Sequence, residues 1–514
     1  MSTSTMAIGY LAVAVLAFVS GMVAQTYQAR TDVNFQGYPT PIPCPSSAGC
    51  VGGGALTGAG YYFTPSDFNT PLLRITDVNT YTSNSSRSFA TDCGGSAEAN
   101  LFDVTNTRFY VCDGGTGVHI FGLDTSVNPP KATLLYGTYT LASCGGDGST
   151  GNAFFSFTQP KLIYAAAWNQ RKDPVICSYD VSSTSSGPTL ANGKIKQVVD
   201  LADCVPSLAG VGTSTYLGEV SASGDDQTVA AYPSATNGQG SGTYVVIVNR
   251  KLGCRVWNTA TGFVSGAYGG APLGSVGIAD RFTVHNVRLS KAGTYAKVTI
   301  QNCVNNNCNS GLNQTYIWQI NSLTVLPISI ASPEYGGGHQ AIGYNEWINN
   351  GGTPNSPNQP FDIRSVSSTV PSFVPTLYPS GSNPMDGHWS WNNDNSGDTV
   401  PFFGTFSNGT SFAPSQAWND EIVALAPDGS VSWRFAHTYA SNQSQSFSAR
   451  YAIGNVSQDG SFYLWSTDWD GMLGNTNGVS AACTIGTSCR ADVFMAVLPV
   501  SDSRAASQRT AHSQ

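Results

Sequence analysis

Three of the six histidines in this 514-residue chain recur in similar local settings. They are His285 in Thr283-Val-His-Asn-Val287, His339 in Gly336-Gly-Gly-His-Gln340, and His388 in Asp386-Gly-His-Trp-Ser390. Neutral imidazoles that converge make good ligands for Mn, Fe, Zn or Cu. A site with three protein nitrogens leaves a position open for water or substrate. Gln340 is a candidate fourth ligand, and Asn286 and Asp386 are candidates to orient the rings. Such a divalent metal polarises a carboxylate or acidifies a bound water, which is lyase or hydrolase chemistry. The competing reading is structural, since Gly338-His339 and Gly387-His388 also suit a hydrogen bond that fixes a loop. Arg450 is a candidate for an anionic group. Trp389 and Trp391 are candidates to stack on sugar rings, against the commoner fate of core packing. No GxSxG elbow, HExxH helix, P-loop or dinucleotide fingerprint occurs in a suitable context.

The elements that must position these residues read as strand hairpins. Val287-Arg-Leu-Ser290-Lys-Ala-Gly293, Val220-Ser-Ala-Ser223-Gly-Asp-Asp226 and Asn455-Val-Ser457-Gln-Asp-Gly460 share one form: an apolar strand, a Ser-led turn of small or acidic residues, then a second strand. Hairpins without the Ser recur elsewhere, at a spacing of about 50 to 65 residues that fits four-stranded blades with insertions. Seven such units follow from about residue 98. The segment Gly60 to Asp77 is left to supply the outer strand of the last one and so close the ring. The expectation is an all-β chain, a β-propeller with seven blades; a β-sandwich array or β-helix is the alternative. Inner strands of neighbouring blades surround the axial channel, which is how the three histidines would meet.

The repeat resembles the broad class of Ser-x-Asp-Gly propellers, including TolB-like and Trp-Asp repeat proteins. His285, His339, Gln340 and His388 also resemble in type and order the metal ligands of bacterial oligogalacturonate lyases, which are seven-bladed. That resemblance implies a divalent metal and a polyanionic saccharide substrate. The glutamine here follows its histidine directly, where that family separates them, and Gly218-Glu219 stands where the family has a further catalytic histidine.

Met6 to Ala24 is an uncharged apolar run, read as a signal peptide or single anchor helix over residues 1–24. An irregular Pro/Gly/Ser-rich entry spans 25–59, the propeller 60–500, and a disordered tail 501–514. All 12 cysteines lie after the apolar run. Cys44 with Cys50, Cys303 with Cys308, and Cys483 with Cys489 suit disulfide-closed turns, and the remaining six leave their pairing open. Both features point to a secreted or cell-envelope protein. With 23 Lys and Arg against 31 Asp and Glu, the net charge of −8 argues against nucleic acid or an anionic membrane surface. Membrane contact is expected only through residues 6–24, if they are retained. The partner is expected to be a polysaccharide, a peptide or an extracellular protein.

Overall fold

The computed structural model describes residues 25–32, 58–80, 88–91, 99–113, 117–135, 139–140, 144–212, 216–218, 220–234, 243–304, 315–328, 341–350, 361–369, 371–373, 388–392, 396–406, 417–441, 452–473 and 489–501. These residues form antiparallel sheets joined by turns and short 3₁₀ segments. Sheet 1 runs Phe89–Ala90, Arg108–Asp113, Gly117–Asp124, Lys131–Leu134; sheet 2 runs Gly145–Phe155, Leu162–Asn169, Pro174–Asp180, Ile195–Asp200. Sheet 3 begins Ser221–Ala222, Thr228–Ala231, Tyr244–Asn249, Gly253–Asn258 and is extended by Phe263–Ser265 and Gly274–Ser275. Sheet 4 runs Phe282–Leu289, Tyr295–Cys303, Thr315–Gln319, Val325–Ile328. Sheet 5 comprises Glu346–Asn350, Phe361–Ser365 and Pro371–Phe373, with Ile342 bridged to Trp347 on its first edge. Sheet 6 runs His388–Ser390, Phe402–Phe406, Glu421–Leu425, Ser432–His437. Sheet 7 begins Gly454–Val456, Phe462–Thr467, Asp492–Val497.

The fourth strand of sheet 7 comes from the other end of the chain. Leu72–Arg74 pairs with Asp492–Val497, and Tyr62–Phe63 lies outside it. The segment assigned from sequence to this role therefore takes it. Arg74 donates to Asp492, both fully buried, and Arg490 binds the same carboxylate.

Apolar layers lie between consecutive sheets all the way round. One core joins sheets 7, 1 and 2; others join 2 to 3, 3 to 4, 4 to 5, 5 to 6 and 6 to 7. First strands of neighbouring sheets also bond to one another. Leu289 N–H donates to Ser221 Oγ and Val456 N–H to Ser390 Oγ; Phe155 N–H, on the first strand of sheet 2, binds the carbonyl of Asn100, in the segment before Arg108–Asp113 of sheet 1. The first strands thus form the inner wall of a closed ring.

The repeated serine has a physical role. Its hydroxyl accepts the N–H of the residue opening the second strand, Thr228 onto Ser223 (3.0 Å), Tyr295 onto Ser290 (3.1 Å) and Phe462 onto Ser457 (3.0 Å). Asp226, Gly293 and Gly460 supply the left-handed residue of each turn, with φ of 56°, 68° and 68°.

Candidate functional site

Strand alternation gives the ring two unlike ends. The first and third strands of each sheet run the same way, so first-to-second and third-to-fourth turns share one end. Second-to-third connections and the links between sheets share the other.

At the turn end, neighbouring sheets are tied across the ring. Asp226 of sheet 3 accepts from Ser156 Oγ (2.5 Å), Thr158 Oγ1 (2.6 Å) and the N–H groups of Phe157 and Thr158, all in the sheet 2 turn. Asp398 of sheet 6 accepts from the N–H groups of Tyr344 and Asn345 beside sheet 5. Longer reaches cross the ring: Lys291 Nζ sits 3.7 Å from the centre of the Phe157 ring. Gln458 of sheet 7 donates to the Ser156 carbonyl of sheet 2 (3.4 Å). Asn392 bonds the carbonyls of Val456 and Ala99. Burial and the charges of Asp398 and Asp428 push Glu346 up to about 7. These contacts tie the turn end together, and it is called the closed end.

The other end carries the longer connections, such as those from Phe406 to Glu421, His437 to Gly454 and Thr467 to Asp492. His285 and His388 both lie on first strands towards this open end. His285 is half-buried and sits in a β-bulge: Val284 pairs with Ile300 and Asn286 with Thr299, so His285 is the extra residue. Bulges re-aim side chains and are frequent beside functional sites. The backbone of His388 pairs with Thr405; its side chain, together with His339, Gln340 and Arg450, lies outside the described residues. Among the described residues, no group of three His, Cys, Asp or Glu side chains is placed to hold a metal ion.

Trp389 and Trp391 lie between sheets 5 and 6, where they are 0% and 2% exposed. Trp391 donates to the Val400 carbonyl (2.6 Å) and packs against Phe402; Trp389 lies over Gly404. Neither indole presents a face on which a sugar could stack. Asn455 is likewise fully buried, with its side chain donating to the Thr91 carbonyl.

The feature missed from sequence is a polar corner between sheets 6 and 7 at the open end. Asp468 is fully buried and accepts from both the N–H and the hydroxyl of Ser441. Burial outweighs these bonds and pushes its carboxyl up to about 7. Around it Asp420, Tyr439, Ala452, Trp469 and Asp470 all adopt positive φ between 48° and 54°. Such conformations cost roughly 1–3 kcal/mol each and collect where a fold is constrained by function. The run Thr467-Asp-Trp-Asp470 was the available signal: a tryptophan flanked by two acids.

Disulfides Cys144–Cys177 and Cys204–Cys254 have Cα separations of 6.3 Å and 5.7 Å. Cys112, Cys303 and Cys489 are also disulfide-bonded, while Cys44, Cys50, Cys308 and Cys483 lie outside the described residues.

A closed ring of radially packed antiparallel sheets, most of them built on four strands, and sealed by a strand from the opposite terminus, decides the architecture. The fold is a β-propeller. No family model and no curated protein matches the sequence. Among solved structures the propeller is similar to TolB from Acinetobacter baumannii, at 10% identity over 77% of this chain and 62% of that one, with a TM-score of 0.30. It thus spans just under two thirds of the length of TolB. It is also similar to the Dos1 propeller, at 10% identity over 91% and 95% of the two chains, with a TM-score of 0.38. A third similarity is to Chaetomium thermophilum Sqt1 bound to the N-terminus of the ribosomal protein L10, at 10% identity, 69% and 78% coverage and a TM-score of 0.36.

Proposed function

We propose that this chain is an exported, seven-bladed propeller that binds a protein or peptide partner at the open end of its channel. The observation that carries this reading is the asymmetry of the two ends. Contacts between sheets from Asp226, Lys291, Gln458 and Asn392 gather at one end, so the long connections and the bulged His285 mark the end left for a partner. A protein or peptide is favoured over a polysaccharide because the tryptophans read as a sugar platform are spent in the core. Disulfides support a location outside the cytoplasm.

A photo-crosslinking residue at Thr283, on the open end, is expected to yield adducts with a partner from the host's extracellular fraction. The same residue at Thr294, in a turn at the closed end, is expected to yield none. Adducts from Thr294 alone, or a match only to glycans in an array, would sink the reading.

A second reading is favoured by the bulge at His285. It is a metal-dependent lyase or hydrolase acting on a polyanionic saccharide, with His285, His339, His388 and Gln340 as the candidate ligands of a Mn, Fe, Zn or Cu ion. The metal would supply carbonyl or carboxylate polarisation, and Arg450 would hold the substrate's charge. Elemental analysis of untagged protein tests it. About one metal per chain, lost in each of His285→Ala, His339→Ala and His388→Ala with the fold intact, is expected on this reading. A metal-free parent after reconstitution removes it.

A further inference from the structure

The apolar run Met6 to Ala24 joins the fold at one particular end of the ring. Gln25 follows Ala24 directly and is already fixed. Its backbone N–H donates to the Thr399 carbonyl (2.9 Å) and its side-chain amide to the Asp459 carbonyl (3.0 Å). Two residues on, the Tyr27 hydroxyl donates to the Gly460 carbonyl (3.0 Å), its ring lying edge-on to Phe403, Trp433 and Phe435. Gln28 N–H donates to the Pro499 carbonyl (2.8 Å). Thr399, Asp459 and Gly460 are in first-to-second turns, and Pro499 follows a third strand, so all four belong to the closed end. Gln25, the residue that follows the apolar run in sequence, is therefore held at the closed end.

A second observation concerns the same end. The large apolar side chains exposed among the described residues are Val127 (45%), Leu190 (47%), Leu252 (45%), Phe263 (48%) and Leu273 (59%). Val127, Leu190 and Leu252 occupy the third-to-fourth turns of sheets 1, 2 and 3. Leu273 closes the connection in which the Gly269 N–H binds the Leu252 carbonyl. All four therefore sit on the closed end. Phe263, paired with Asn258 at the far end of the strand that Leu252 precedes, is the exception. Lys251 lies in the sheet 3 turn and Lys131 opens the fourth strand of sheet 1, and their stems can lie along an interface while their ammonium groups stay in water.

We propose that the closed end is a membrane-facing surface. Residues 6–24 serve as the anchor, Val127, Leu190, Leu252 and Leu273 rest in the interfacial layer of a zwitterionic bilayer, and the open end with His285 points away from it. This rests on the reading of residues 6–24 as a retained anchor, and it fixes which side of the propeller a partner approaches.

The test uses the full chain reconstituted into phosphatidylcholine vesicles that contain a nitroxide-headgroup lipid. An environment-sensitive fluorescent amino acid replaces Leu252 in one preparation and Phe263 in another. Strong quenching at position 252 and little at position 263 is the expected result. Equal quenching at both, or stronger quenching at 263, overturns the orientation while leaving the anchor in place. Recovery from host cells of a soluble chain whose N-terminus lies at or beyond Gln25 overturns the anchor itself, so the two failures are distinguishable.

Discussion

Replacing Asp468 by asparagine isolates one buried acid and gives stability a changed dependence on pH. Burial holds its carboxyl at about 7, against 3.8 for the free side chain. The folded chain therefore binds a proton that the unfolded chain has released across the window from about pH 4 to about pH 7. Stability from this group is fully present below that window, falls as pH rises through it, and levels off above about pH 7. The difference corresponds to at most roughly 4 kcal/mol, at 1.36 kcal/mol for each tenfold change in proton affinity. The asparagine side chain would keep an oxygen to accept the Ser441 bonds and an amide in place of the acid proton, with no charge to lose. Urea unfolding of parent and Asp468→Asn at pH 5, 6, 7 and 8 measures the effect by linear extrapolation. Parent minus variant cancels the contributions of Asp124, Asp173 and Asp180, whose carboxyls are held below their usual value and act in the opposite sense. A difference curve flat within error from pH 5 to pH 8 would refute the assignment of a protonated acid to this corner.

Tyr27→Phe is expected to cost about 1–2 kcal/mol by stranding the Gly460 carbonyl, measured as a lower urea midpoint with the same slope. Gly454→Ala places a methyl 2.4 Å from the Tyr463 ring and 2.5 Å from the Leu464 carbonyl. That overpacking is expected to cost at least about 1–3 kcal/mol, and an unchanged midpoint would contradict the packing described. Opening the Cys204–Cys254 bridge, which spans 50 residues, with paired serine substitutions should lower stability by about 4 kcal/mol on the chain-entropy account. Trp391→Phe should cost about 1–3 kcal/mol through the buried Val400 carbonyl, with no effect on partner capture at Thr283.

The hairpin turns were legible because their chemistry is local. A serine hydroxyl four or five residues from the N–H groups it caps, with Asp or Gly at the left-handed position, specifies the same turn at Ser223, Ser290 and Ser457 wherever it occurs. Ring closure by residues 60–77 was legible for a related reason: a last unit short of an outer strand leaves one partner for the strand at the other end. The tryptophans were not. Both faces of these sheets are covered by neighbouring sheets, so alternation along a strand does not separate channel from core, and Trp389 reads alike for either. The bulge at His285 shifts the side-chain phase by one residue, which spacing alone cannot register. Asp468 escaped because its environment is made by Ser441 and the Trp469 turn, two connections from different sheets.

The strand that seals the ring is made long before its partner. Arg74 and Asp492 are separated by 418 positions, so Leu72–Arg74 leaves the ribosome, and on the export reading crosses a membrane, paired only with Tyr62–Phe63 and with its inner edge open. Until Asp492–Val497 arrives, both edges of the future seam are open templates for a second chain. Closure is then a loop-ordering step with nearly the whole protein as its loop, slow by topology whatever the local propensities. The seam therefore sets when this protein is vulnerable: during delivery, a helper that shields strand edges matters more than one that speeds the turns.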